Sequence, residues 1–179
     1  MARHSTRASS PPGPTGKSAG ECRARLFVMV GVPGAGKTTY IREHMPAAIR
    51  VSLDDLRMMF SGQAFDPRSE TLVAEAAWHT LELAMAWGCR RGHDVVLDAT
   101  NVTRDYRVRA TGLAHRHGAR AICVFLDVPI AVAAQRNARR ERVVPPEVVA
   151  RFATRLTPPQ LDEGFDEIVR PGNGDELIR

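Results

Sequence analysis

Leu26-Phe-Val-Met-Val30-Gly31-Val-Pro-Gly-Ala-Gly36-Lys37-Thr38-Thr39 decides the fold. Five consecutive apolar residues, bounded by a glycine turn, read as a strand buried on both faces. The stretch after them matches G-x-x-x-x-G-K-[ST] in full. Each residue type has a chemical reason. Glycines let backbone N–H groups curl around phosphate oxygens. The N-terminus of the helix that follows adds a partial positive charge. Lys37 reaches the β- and γ-phosphates of a nucleotide, and Thr38 supplies a hydroxyl ligand for Mg²⁺. Residues Gly31, Val32, Pro33, Gly34, Ala35, Gly36, Lys37, Thr38 and Thr39 are therefore the candidate ATP-binding loop. A partial copy, Gly13-Pro-Thr-Gly16-Lys17-Ser18, has Pro11 where the first glycine belongs and no strand before it. It reads as tail sequence.

Downstream of the loop, short apolar runs alternate with helical stretches. Strands are expected at Ile49–Leu53, Asp94–Asp98, Ala121–Leu126 and Phe165–Val169. Helices are expected up to about Pro46, then over Asp54–Phe60, Ser69–Arg91, Arg104–His117, Ile130–Arg140 and from Pro145-Pro146 to about Leu156. Such alternation implies a parallel sheet covered on both faces, an α/β three-layer domain. That domain is expected over 26–179. Residues 1–25 are rich in Ser, Pro, Gly and Arg and poor in apolar residues. They read as a disordered basic tail.

Of the 25 basic residues only Lys17 and Lys37 are lysines, which singles out Lys37 for its compact ammonium. The net charge of +5 suggests an anionic partner, but it is unevenly placed. Residues 1–25 hold five Lys/Arg against one Glu, and 104–155 hold eleven Arg against four acids. The three cysteines, Cys22, Cys89 and Cys123, are far apart and form no C-x-x-C pair, so no disulfide or zinc framework is expected. Unpaired thiols, with no secretory leader pattern, place the chain in the cytoplasm. No apolar stretch approaches the ~20 residues of a membrane span. Trp78 and Trp87 lie on the long helix and are expected to pack in the core or at a subunit contact, with stacking of an acceptor base as the other reading. The histidines show no metal-ligand spacing.

Two carboxylates stand at strand ends, where α/β folds bind ligands. Asp98 ends the third strand and is placed to hold Mg²⁺ through water, the other reading being a cap for the following loop. Asp54, in Val51-Ser-Leu-Asp54-Asp55-Leu-Arg57, is placed to take the proton from a hydroxyl that attacks the γ-phosphate. The other reading of Asp54 and Asp55 is that acids simply favour a helix N-terminus. Arg57, a turn later, is placed to hold an anion on the acceptor. Arg136 and Arg140, four apart on one helix face, can clamp the transferring phosphoryl. Arg139 and Arg142 are nearby alternatives.

GVPGAGKTT, SLDDLR, LDATNVTRDYR, FLDVP and QRNARRERVVPPEVV, in this order, resemble the P-loop kinases typified by phage polynucleotide kinase and related to zeta-toxin-like kinases. The resemblance spans about 26–160. It implies a nucleoside-kinase-like P-loop NTPase fold with an Arg-rich helical lid. It assigns the general base to Asp54 and an acceptor-phosphate contact to Arg57. The family's D-x-N element corresponds to Asp98 and Asn101, with one residue more between them. Val144 and Val148 fall where the adenine site is lined. The expected activity is ATP- and Mg²⁺-dependent transfer of the γ-phosphate to a hydroxyl, preferably the 5′-OH end of DNA or RNA. The alternatives are a kinase for a metabolite, sugar or antibiotic, or a nucleotide-binding regulatory module without turnover.

Overall fold

A computed structural model describes residues 22–63, 66–140 and 143–172. Five strands form one parallel sheet: β1 (Arg25–Val30), β2 (Ile49–Ser52), β3 (Val95–Asp98), β4 (Arg120–Phe125) and β5 (Glu167–Val169). Their order is β2-β3-β1-β4-β5. The helices are α1 (Lys37–His44), α2 (Leu53–Ser61), α3 (Glu70–Arg91), α4 (Arg104–Arg116), α5 (Ile130–Ala138) and α6 (Pro146–Arg155).

Why β1 lies at the centre follows from its composition. Every residue from Leu26 to Val30 is buried, and successive side chains enter opposite layers. Leu26, Val28 and Val30 meet Leu81 and Met85 of α3 and Leu113 of α4. Phe27 and Met29 meet Tyr40 and Ile41 of α1 and Ala133 of α5. Burying each such side chain contributes roughly 1.5–3 kcal/mol. These are the two cores of a three-layer domain, as the alternating pattern implies. Helix α3 stops where expected, at Gly92, whose φ of +74° suits a residue without Cβ.

The elements deliver three chain ends to one rim of the sheet. Gly31 follows β1, Leu53 follows β2 and Ala99 follows β3. Strand order reverses between β3 and β1, the place where open α/β sheets form a crevice. The backbone N–H of Gly31 donates to Thr100 O at 3.1 Å and closes the floor of that crevice.

Three expectations change. Cys22 and Cys89 are joined in a disulfide across 67 positions, so the cysteine count concealed a pair that only folding brings together. The cytoplasmic assignment loses the support it drew from unpaired thiols. Residues 22–25 pack with the body: Ala24 is buried and Arg25 opens β1, pairing with Asp94 at 2.7 Å. The earlier part of the expected tail, with the partial loop copy at Gly13–Ser18, lies outside the described residues. Helix α5 ends at Ala138, not Arg140, so Arg140 stands in the bend beyond it. Cys123 is buried in the core as expected. No helix among the described residues is long and apolar enough to cross a membrane.

Candidate active site

The phosphate loop is built on close backbone packing. A Cβ on Gly34 would lie 2.1 Å from Ala133 O of α5, and its φ is +86°. Glycine is therefore required there by space and by conformation. Gly36 caps α1 from the left-handed region, so Lys37 and Thr38 occupy the first helical turn. The side chain of Lys37 folds back over its own loop. Its Nζ donates to Gly31 O at 2.8 Å and Val32 O at 3.0 Å. Desolvation lowers the Lys37 ammonium from 10.5 to about 8, against the opposing pull of Asp98 and Asp54, and with a further push from Arg140. Four of the expected site residues thus share one electrostatic environment.

Thr38 Oγ1 donates to Asp98 Oδ2 at 3.1 Å. A hydroxyl beside a buried carboxylate is the hard oxygen pair that Mg²⁺ takes from a protein when phosphates and water complete its shell. The residues fit the ion. A third partner was not expected: Arg50 Nε of β2 donates to the same Asp98 oxygen at 2.8 Å, while its Nη1 reaches Asp55 at 2.7 Å. In sequence, Arg50 is only a charge interrupting a short edge strand. Its partner Asp98 lies 48 residues away and becomes visible only through the β2–β3 pairing.

Asp54 sits in the first turn of α2, and its side chain is half exposed. Arg57 Nη1 donates to Asp54 Oδ1 at 2.7 Å. The rest of the Arg57 fork is held by Glu70 of α3, through Nε at 2.9 Å and Nη2 at 3.0 Å. Arg57 is thus a brace for Asp54 anchored on α3, with one N–H of each of its three nitrogens bonded to a carboxylate and one left on each Nη. Ser52 caps α2 by accepting from the Asp55 N–H at 3.2 Å, which sets the direction in which Asp54 leaves the sheet.

Asn101 belongs to the loop that follows β3 and lines the cleft beside it. It is buried, with φ +46°, and its Nδ2 donates to Met29 O at 2.8 Å, so it ties the loop after β3 to β1. Behind it, Arg107 is wholly buried against Glu163, at 2.6 and 2.8 Å. Its Nη1 donates to Asn101 O and Val102 O, both at 3.0 Å. The crevice wall rests on this ion pair, which sequence inspection missed because its partners are 56 residues apart.

On the lid side, Arg136 Nη1 reaches Ala35 O of the phosphate loop at 3.4 Å. Arg140 acts on Lys37 through its charge. Arg139 caps α5 and is exposed, and Arg142 lies outside the described residues. Val144 is half-buried and pinned by a two-way contact: Asn137 Nδ2 donates to Val144 O at 2.7 Å, and Val144 N donates to Asn137 Oδ1 at 3.1 Å. Val148 is half-buried on α6.

Comparison with known folds agrees with this architecture. A chain of the Pnkp1/Rnl/Hen1 RNA repair complex superposes with a TM-score of 0.62 at 22% identity, over 74% of this chain and 44% of that one. The present chain thus spans less than half of that relative. Chaetomium thermophilum Kti12 in complex with ADP-AlF3 gives 0.61 at 18% identity, over 84% of this chain and 91% of that one. A gluconokinase from Sinorhizobium meliloti gives 0.55 at 19% identity, over 84% and 82%. At these identities the likeness concerns the fold, a P-loop fold of the kinase kind. Residues 26–159 match the family described as AAA domain, and on that match across most of its length the protein belongs to this family.

Proposed function

We propose that the protein is an ATP- and Mg²⁺-dependent phosphotransferase that moves the γ-phosphate of ATP to an acceptor hydroxyl, the 5′-OH end of DNA or RNA. The observation that carries this reading is that Lys37 and Thr38 at the start of α1, Asp98 at the end of β3 and Asp54 at the start of α2 stand at the carboxyl rim of the sheet, with Thr38 Oγ1 bonded to Asp98 Oδ2 at 3.1 Å. A base for the acceptor and a cation for the donor are thereby on one rim.

The residues divide the work. Backbone N–H groups of Gly31–Thr39 receive the phosphates. Lys37 exchanges its two carbonyl partners for β- and γ-phosphate oxygens. Thr38 and Asp98 would hold Mg²⁺, which would neutralise phosphate charge when bound. Asp54 accepts the proton of the acceptor hydroxyl as its oxygen bonds to the γ-phosphorus and the bond to the β-phosphate oxygen breaks. Arg136 and Arg140 stabilise charge on the transferring group. Arg57 and Glu70 position Asp54, and Val144 borders the adenine.

Asp54→Ala is expected to lower phosphoryl transfer by about 10²–10⁴-fold while ATP still binds. A labelled-ATP assay against 5′-hydroxyl oligonucleotides checks this, and unchanged turnover in the variant refutes the assignment. One observation favours a second reading, a small-molecule kinase. Arg57 is largely committed to Asp54 and Glu70, with one N–H left on each Nη, so it grips an acceptor phosphate less fully than a free guanidinium. Transfer to a metabolite panel and to no oligonucleotide selects that reading.

A further inference from the structure

A cleft of about 700 Å³ opens beside Asp54, between α3, α4 and α6. Its volume falls within the roughly 300–1,000 Å³ of ligand clefts. At one end it is lined by Leu53 and Arg57, the neighbour and the brace of Asp54. One wall carries Trp78 of α3 and Tyr106 of α4, with near-parallel rings whose centroids lie 6.2 Å apart. Arg109, one turn beyond Tyr106, lays its guanidinium 4.2 Å over the Trp78 ring. Tyr106 remains 47% exposed. Facing this wall, Arg151 and Arg155 stand one turn apart on α6. Both are exposed, and neither has an ion pair among the described residues. The acids of the cleft are Glu70, Glu75 and Asp105, and Glu70 is already held by Arg57.

Exposed aromatic faces beside unpaired arginines recognise stacked bases and the backbone that joins them. A small polyol packs its C–H groups on a ring such as Tyr106, but it gives Arg151 and Arg155 no anion. A single carboxylate does not call for two cations a turn apart. The position beside Asp54 settles polarity, because the hydroxyl to be phosphorylated must lie at that end.

We infer that this cleft binds the 5′-terminal nucleotides of a single-stranded nucleic acid, the first base against the Tyr106–Trp78 wall and the following phosphates on Arg151 and Arg155. The inference rests on the kinase reading for the direction of the strand. It also adds phosphate contacts beyond the two N–H groups that Arg57 keeps after bonding Asp54 and Glu70.

The test titrates the full chain into a 5′-hydroxyl deoxyoligonucleotide whose first base is 2-aminopurine, and measures transfer from labelled ATP to the same strand. Stacking should quench the 2-aminopurine fluorescence. Tyr106→Ala should remove most of the quenching and raise Kd and KM for the strand by about ten-fold. Tyr106→Phe, which keeps the ring, should behave as the unsubstituted chain, and circular dichroism checks that both variants fold. Arg151→Ser and Arg155→Ser should each weaken binding and each flatten the slope of log K against log salt by about 0.7. Absence of quenching by the unsubstituted chain, or quenching and KM unmoved in all four variants, overturns the inference. Tyr106-dependent quenching without transfer would keep the cleft and refute the kinase reading. Transfer with a KM indifferent to these residues would do the reverse.

Discussion

At Lys37 the sign of the pH response can be worked out. Desolvation lowers its folded value from 10.5 to about 8. Between those two values the folded chain holds fewer protons at this site than the unfolded chain. The contribution of this lysine to the stability of the nucleotide-free protein therefore rises with pH through that window. Nucleotide binding has the opposite sense, because a triphosphate favours the ammonium. At pH 8, calorimetry in two buffers of different ionisation enthalpy should read uptake of up to about half a proton on ATP binding, lost in Lys37→Met. ATP affinity should fall as pH rises further. The placement of Lys37 was readable from eight contiguous residues, since the loop makes its own geometry. The role of Arg57 was not. SLDDLR places it a turn after Asp54, but its anchor Glu70 belongs to another helix. Glu70→Ala should lower kcat more than it changes KM for ATP, because Asp54 loses its brace while the phosphate loop is untouched, and steady-state kinetics separates the two.

Among the elements, two buried polar contacts hold the rim in place. Arg107 and Glu163 join α4 to the turn at Leu161–Glu163, and Arg107 also carries the carbonyls of the loop after β3. Removing one partner leaves the other charge buried. Glu163→Ala should therefore destabilise the fold by about 3–5 kcal/mol in denaturant unfolding. The Arg107→Ala, Glu163→Ala double variant should cost far less than the sum of the singles. On the lid, Asn137 holds the chain at Val144 through both of its amide atoms. Asn137→Ala should cost about 1–3 kcal/mol and raise KM for ATP, read by unfolding and by kinetics. The elements themselves were legible as apolar runs and helical spacing, with ends displaced by a residue or two. The end of α5 shifted because Arg139 and Arg140 cap it through the carbonyls of Arg136 and Asn137, a local choice that spacing does not encode.

Across the whole molecule, the Cys22–Cys89 disulfide fastens the entry to β1 onto α3, and Cys123 lies in the core with its thiol pushed up to about 12 by burial. A thiol reagent should find no reactive cysteine in the native chain. It should find one after unfolding without reductant, and three after unfolding with it. Reduction should lower stability by about 2–4 kcal/mol, because it frees the unfolded chain from a long closed loop. The charge pattern also resolves at this scale. The arginine block of 104–155 serves three places: the buried Arg107, the lid at Arg136 and Arg140, and the open cleft at Arg109, Arg151 and Arg155. The amino-acid sequence by itself determined the layered parallel architecture and the phosphate loop. Both depend on residues that are neighbours in the chain, through hydrophobic period and turn chemistry. Only the tertiary structure decided which groups stand opposite Asp98 and Asp54, which cysteines pair, and that Trp78 and Tyr106 share one wall. The Arg57–Glu70, Trp78–Tyr106 and Cys22–Cys89 contacts join residues 13 to 67 positions apart, and no local pattern specifies them until the sheet has brought its helices together.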